Sequence, residues 1–183
     1  SNPDIVMQYN NAIGTPGCYE ASSGWYMDDG TALTSPAGYV DLYGTIQHEI
    51  GHGLGFASYY ASSGTFPVSG ATDSFSQYLY NEATSRSIDN DVSDPVRSSA
   101  FISQSLLTWS GPAVDSESDT LAAGNTNGNV RMYAPNPYQS GSSVSHFDTV
   151  VEPSELMEPF KVARAATNFH LTRHALRDNW WIL

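Results

Sequence analysis

The chain has 183 residues, 40% of them hydrophobic, which suits one domain with a core of its own and leaves too little for two. Its 19 acidic residues against 7 basic ones give a formal net charge of −12, a surface unsuited to nucleic acid or to an anionic membrane. No run approaches the roughly 18 apolar residues of a membrane span, no signal-peptide pattern opens the chain, and Cys18 is the single cysteine, so no internal disulfide can form.

Ser1-Asn2-Pro3 reads as the start of a processed product, with sequence removed upstream. The abundance of Ser, Thr, Asn, Gly and Tyr, with Lys161 the single lysine, fits a secreted bacterial protein. Its acidity suits solubility, a saline habitat, bound calcium or a basic substrate, and composition does not choose among them. Cys18 is read as a buried inert thiol; a half-cystine to a removed segment and a metal-blocking cysteine are the competing readings.

In chain order, Asp4–Tyr9 alternates like a strand, and 10–24 is turn-rich. Trp25–Met27 is a short strand closed by Asp28-Asp29-Gly30, two aspartates read as a solvated turn, with calcium as an alternative that no ligand spacing supports. Residues 39–47 place Val40, Tyr43 and Gln47, and Leu42 and Ile46, at helical spacing behind Asp41, which predicts an N-capped helix over 41–54 ended by Gly55. A loop fills 58–72, and 73–84 fits helix or strand equally. Asp94-Pro95 predicts a helix start with Asp94 as N-cap, its apolar side running through Val96, Ala100 and Phe101 to Leu106 and Leu107, stopped at 109–112. A turn at 125–129, a strand at 130–134 and a loop at 135–143 follow. A last helix spans 167–180, with Phe169, Leu176 and Trp180 on one side and Arg173 and Arg177 near its C-terminal end.

The chemistry concentrates in His48-Glu49-Ile50-Gly51-His52, an H-E-x-x-H stretch on the predicted helix. Residues i and i+4 share a helix face, so both imidazoles can serve one metal ion, while Glu49 is rotated by about 100° from His48 and is placed to take a proton from a water beside it. Two neutral imidazoles suit zinc, which lowers the pKa of a coordinated water towards about 7. The plain alternative is a helix with two exposed or core-satisfied histidines. Against it, Gly51, Gly53 and Gly55 stand where helix propensity disfavours glycine by about 0.8–1 kcal/mol each. Glycine fits there if the backbone passes close to something or turns sharply.

A catalytic zinc usually has a third protein ligand. In the pattern H-E-x-x-H-x-x-G-x-x-H that position falls on Ser58, a poor ligand, although His48–Gly55 matches. Further on, Ser145-His146-Phe147-Asp148 and Glu155-Leu156-Met157-Glu158-Pro159 resemble the second half of the leishmanolysin-like metzincin peptidases and their secreted bacterial relatives. The resemblance implies zinc held by His48, His52 and His146, Glu49 as catalytic base, Met157 in a methionine turn beneath the metal, a bend at Gly55, and residues 56–145 as an insertion. It implies an α+β, metzincin-like fold forming one catalytic domain over 1–183, with an upper subdomain to about residue 57 and a lower one from about residue 58. Pro159 and Phe160 would wall a substrate pocket. The implied protein is a secreted, monomeric zinc endopeptidase that binds an extended peptide along an edge strand.

This chain departs from that family in having no disulfide framework, only 47 residues before His48, and Pro159 where some metzincins have a tyrosine ligand. Asn81-Glu82-Ala83-Thr84-Ser85 is similar to the N-E-x-x-S segment of thermolysin-type gluzincins and makes Glu82 the rival third ligand, 30 residues after His52. His170 and His174, also at i, i+4, read as a partly exposed pair, and Asp148 as either a partner for a ligand histidine or a turn cap. The sequence is also compatible with a non-catalytic, metal-containing binding module, or with a latent enzyme regulated by a missing upstream segment.

Overall fold

The structure, a computed structural model, describes residues 3, 5–18, 23–27, 35–91, 93–160 and 168–179. Asp4, the Asp28-Asp29 pair, Lys161, Thr167 and Trp180 lie outside these, and with them the calcium alternative and both predicted ends of the last helix. Strands β1 (Gly24–Tyr26) and β2 (Tyr39–Asp41) pair in parallel and lead into helix α1 (Leu42–Gly53). Next come β3 (Leu79–Asn81), β4 (Arg86–Ser87), α2 (Asp94–Ala100), β5 (Leu107–Trp109), the single turn α3 (Pro112–Asp115), β6 (Asn125–Thr126), β7 (Asn129–Arg131) and α4 (His170–Asp178). The second sheet is antiparallel throughout, in the order β4-β3-β5-β7-β6. Small sheets with separate helices make the fold α+β.

The predicted active helix forms within one residue of its expected ends. Asp41 caps it, its carboxylate accepting from the Gly44 N–H at 3.2 Å. The strand expected over Asp4–Tyr9 is not formed: residues 5–9 belong to no strand or helix among the described residues. Residues 73–84 resolve into a 3₁₀ turn over Ser76–Tyr78, then β3 and a turn.

The second predicted helix is corrected. It begins one residue earlier in its cap, with Ser93 in that position and Asp94 and Pro95 inside the first turn, and it stops at Ala100. Gln104 then takes φ +52°, and Leu107–Trp109 becomes the middle strand of the antiparallel sheet with all three residues buried. A short apolar run buried on both faces has no alternation to reveal it as a strand, which is why it reads as a continued helical face. Cys18 is also corrected: it is partly exposed, with the Asn10 side-chain amide 3.5 Å from its sulfur.

Trp109 is the centre of the core. Fully buried, it stacks on Phe56 at 6.1 Å and meets Phe75 edge-on at 4.7 Å, and Phe147 closes on Phe56 at 5.1 Å. Its indole N–H donates to Asp178 at 3.0 Å, and the same carboxylate accepts from the Ala113 N–H, so the end of α4 satisfies the start of α3. Phe56 and Phe147 directly follow the two segments that carry the site histidines, so this aromatic cluster fixes both from below. No helix among the described residues is long and apolar enough to cross a membrane.

One buried group makes stability pH-dependent. Glu158 is 4% exposed and accepts from the Glu155 N–H at 2.7 Å; burial, with Glu155, Asp148 and Glu152 nearby, pushes its carboxyl up to about 7. The folded state therefore keeps a proton that the unfolded chain releases from about pH 4.5, and stability falls as pH rises through the folded value near 7. Glu158→Gln keeps the accepting oxygen and removes the charge. Its stability relative to wild type is expected to rise between pH 4.5 and pH 8 by at most about 3 kcal/mol in urea titrations. A difference independent of pH would contradict the buried, protonated carboxyl.

Candidate metal centre

Helix α1 presents His48 and His52 one turn apart, and its exit is a Schellman turn. Gly55 adopts φ +100° and donates to the His52 carbonyl, while the Phe56 N–H donates to the Gly51 carbonyl at 3.1 Å. The chain thus reverses under the helix and brings the Phe56 carbonyl to His52, whose Nδ1–H donates to it at 2.7 Å. The spacing role expected of Gly51 is also visible. A Cβ there would lie 2.5 Å from the sulfur of Met157, which is fully buried against the helix between the two histidines.

His146 arrives from the other side. Its carbonyl accepts from the Tyr133 N–H at 2.8 Å, and the next residue, Phe147, bridges Met132 and donates its N–H to the Met157 carbonyl at 2.9 Å. The neighbouring Leu156 carbonyl accepts from His48 Nδ1–H at 2.8 Å. Two consecutive carbonyls of the 154–158 turn therefore brace both halves of the site.

The three Nε2 atoms converge: His48 to His52 is 3.1 Å, His48 to His146 is 3.2 Å and His52 to His146 is 3.2 Å. Each ring gives its Nδ1–H to a backbone carbonyl, with Ser142 as the acceptor for His146 at 2.7 Å. A carbonyl only accepts, so the hydrogen is on Nδ1 and a lone pair is on Nε2 in all three rings. Three lone pairs facing one another cannot bond among themselves. Burial and the two neighbouring rings push His146 down to about 3, so its Nε2 keeps its lone pair at neutral pH. A cation is what such a set accommodates. Around a tetrahedral ion with metal–nitrogen bonds of about 2.0–2.1 Å, ligand nitrogens lie about 3.3–3.4 Å apart, close to the observed triangle. His48, His52 and His146 form a group that can hold one metal ion.

Glu49 is exposed and faces a cleft of about 410 Å³, lined also by His52, Thr45 and Trp25 and by the segment that contains Ile5 and Tyr9. Ile5 occupies the space a side chain at Gly53 would need, at 2.9 Å from its Cβ position, so that glycine lets the segment lie across the helix. Phe160 is half-exposed and edge-on to Tyr133 at 5.8 Å, and Pro159 is half-buried beside it.

The rival ligand is elsewhere. The Glu82 carboxylate accepts from Thr108 Oγ1 at 2.8 Å, Asn129 at 2.9 Å and Asn127 at 3.0 Å, tying the turn after β3 to β5 and to the β6–β7 hairpin, and is not in the histidine group. Ser58, at the short-spacing ligand position, donates its N–H to Ser145 Oγ and pairs with Ser76. Asp148 does not orient a ligand: it holds Arg131 at 2.7 Å and accepts weakly from the Val150 N–H, which makes it a turn cap. The acceptors that do orient the rings are the carbonyls of Phe56, Ser142 and Leu156, which no side-chain pattern announces. No family model, curated protein or solved structure matches this chain.

Proposed function

We propose that the chain is a zinc endopeptidase of the leishmanolysin-like metzincin kind, acting as a secreted bacterial monomer, with His48, His52 and His146 as the zinc ligands and Glu49 as the catalytic base. The observation that carries this reading is the closed triangle of three Nε2 lone pairs, with Glu49 one residue from a ligand and open to a cleft. Imidazole nitrogens select zinc or a similar transition ion over calcium or magnesium. Bound zinc would polarise the scissile carbonyl and acidify the attacking water.

The remaining roles fall to the chain itself. Glu49 takes the proton from the water and returns it to the leaving amine, a task that needs a carboxylate free of other partners and beside the cleft. Residues 5–9, which line the cleft and pair with no strand among the described residues, offer their backbone to a peptide lying along them. Phe160, half-exposed next to Pro159, walls the pocket for the side chain that follows the cut. Met157 supports the helix between the ligands as the methionine turn of the family does, and its carbonyl ties that turn to the His146 segment.

The test is incubation of the zinc-loaded chain with casein and identification of the fragments by mass spectrometry. Cuts at internal bonds are expected. Release of terminal residues alone, or no cleavage, would defeat the endopeptidase reading.

A further inference from the structure

The two histidines of α4 lie outside the site described above, and their surroundings are not those of a simple surface pair. His170 Nε2 is 2.9 Å from Glu117 Oε2, and His174 Nε2 is 3.7 Å from Oε1 of the same carboxylate. The rings are 4.9 Å apart. An ion pair between His170 and Glu117 accounts for the first contact, while His174 reaches the same carboxylate only at 3.7 Å, beyond hydrogen-bond distance. The His174 side chain is only 12% exposed, and neither ring nitrogen has a hydrogen-bond partner among the described residues. Buried polar atoms almost always have partners, so a ring with two such atoms asks for one. The Nε2 of that ring faces another imidazole and a carboxylate, a set of donors that a cation between them would satisfy.

We infer that Glu117, His170 and His174 form a second divalent-metal site, of the zinc class, that clamps α4 to the segment following α3. Two imidazoles from one helix face and one carboxylate from a separate segment make a three-ligand set whose mixed nitrogen and oxygen donors favour zinc-like ions over calcium. The ligands span the contact between α3 and α4, where Asp178 already ties the far end of α4 to Ala113 and Trp109. The near end of α4 holds the methionine turn: the Glu155 carboxylate accepts from the Leu171 and Thr172 N–H groups, and the Leu156 N–H donates to the Asn168 carbonyl. Metal at the second site therefore immobilises the helix that carries the turn beneath the first. Its role is structural, because all three ligands are side chains of that clamp and none lines the cleft of Glu49.

The experiment is zinc stoichiometry by equilibrium dialysis and elemental analysis on wild type, His170→Ala, His174→Ala and His146→Ala, with circular dichroism to verify folding. Two equivalents are expected for wild type and one for each variant. The His146→Ala protein should still gain several degrees of melting temperature on zinc addition, and adding His170→Ala should abolish that gain. His170 has a 43% exposed side chain, so its replacement tests the site even if His174→Ala does not fold. A single equivalent lost in His146→Ala but kept in His170→Ala would overturn the second site and leave the proposed function standing. A single equivalent with the opposite pattern would support the second site and defeat the histidine triangle as a zinc centre.

Discussion

Glu49→Gln is expected to lower peptide hydrolysis by about 10²–10⁴-fold while zinc content stays at the wild-type level. Glutamine preserves the length of the side chain and its helix propensity, so α1 and the spacing of its histidines are retained. It also cannot accept a proton at neutral pH, and on the proposed mechanism Glu49 moves the proton twice. The check is turnover of an internally quenched peptide beside elemental analysis on the same preparations. Unchanged turnover would remove Glu49 from the chemistry, and lost zinc would make it a ligand instead.

His146→Ala should abolish both zinc at the histidine triangle and turnover, whereas Glu82→Ala should keep both. Even the groups that merely orient a metal ligand are worth about 10–100-fold in affinity, so removing one of three ligands is expected to cost more than about 100-fold. Two lone pairs from one helix then face a solvent-filled gap where the third ring closed the site. Glu82→Ala instead leaves Thr108, Asn127 and Asn129 short of an acceptor. Its expected cost is stability, about 1–3 kcal/mol, with zinc content intact. Zinc dialysis and chemical denaturation of both variants separate the two outcomes. Zinc loss in Glu82→Ala with zinc retained in His146→Ala would reverse the ligand assignment.

The helix of the site is legible in the chain because every local signal there agrees. Asp41 at the cap, helical spacing through Ile46 and a glycine needed for a left-handed turn at residue 55 all act within a few residues of one another. His146 is different. Its distance from His52 follows from how the antiparallel sheet and its connections fold the intervening chain, which no local pattern encodes, so only a family resemblance points to it. The N-E-x-x-S stretch at 81–85 misleads for the same reason: out of context its spacing suits a ligand, but in the fold it leaves β3 into a turn at the sheet. Leu107–Trp109 reads as helix because burial on both faces erases periodicity, and the carbonyls that orient the three rings belong to a backbone common to all residues. The close approach of Gly51 is signalled by its cost in a helix, while its partner, Met157, is visible only in the turn packed against that position.

The most direct measurement of the account is hydrolysis of the quenched peptide by wild type as isolated, after chelation, and after zinc is restored. Activity should vanish with the metal and return as about one equivalent refills the histidine triangle. Cleavage that survives complete removal of metal, or a zinc-filled triangle with no hydrolysis of any peptide offered, would contradict it.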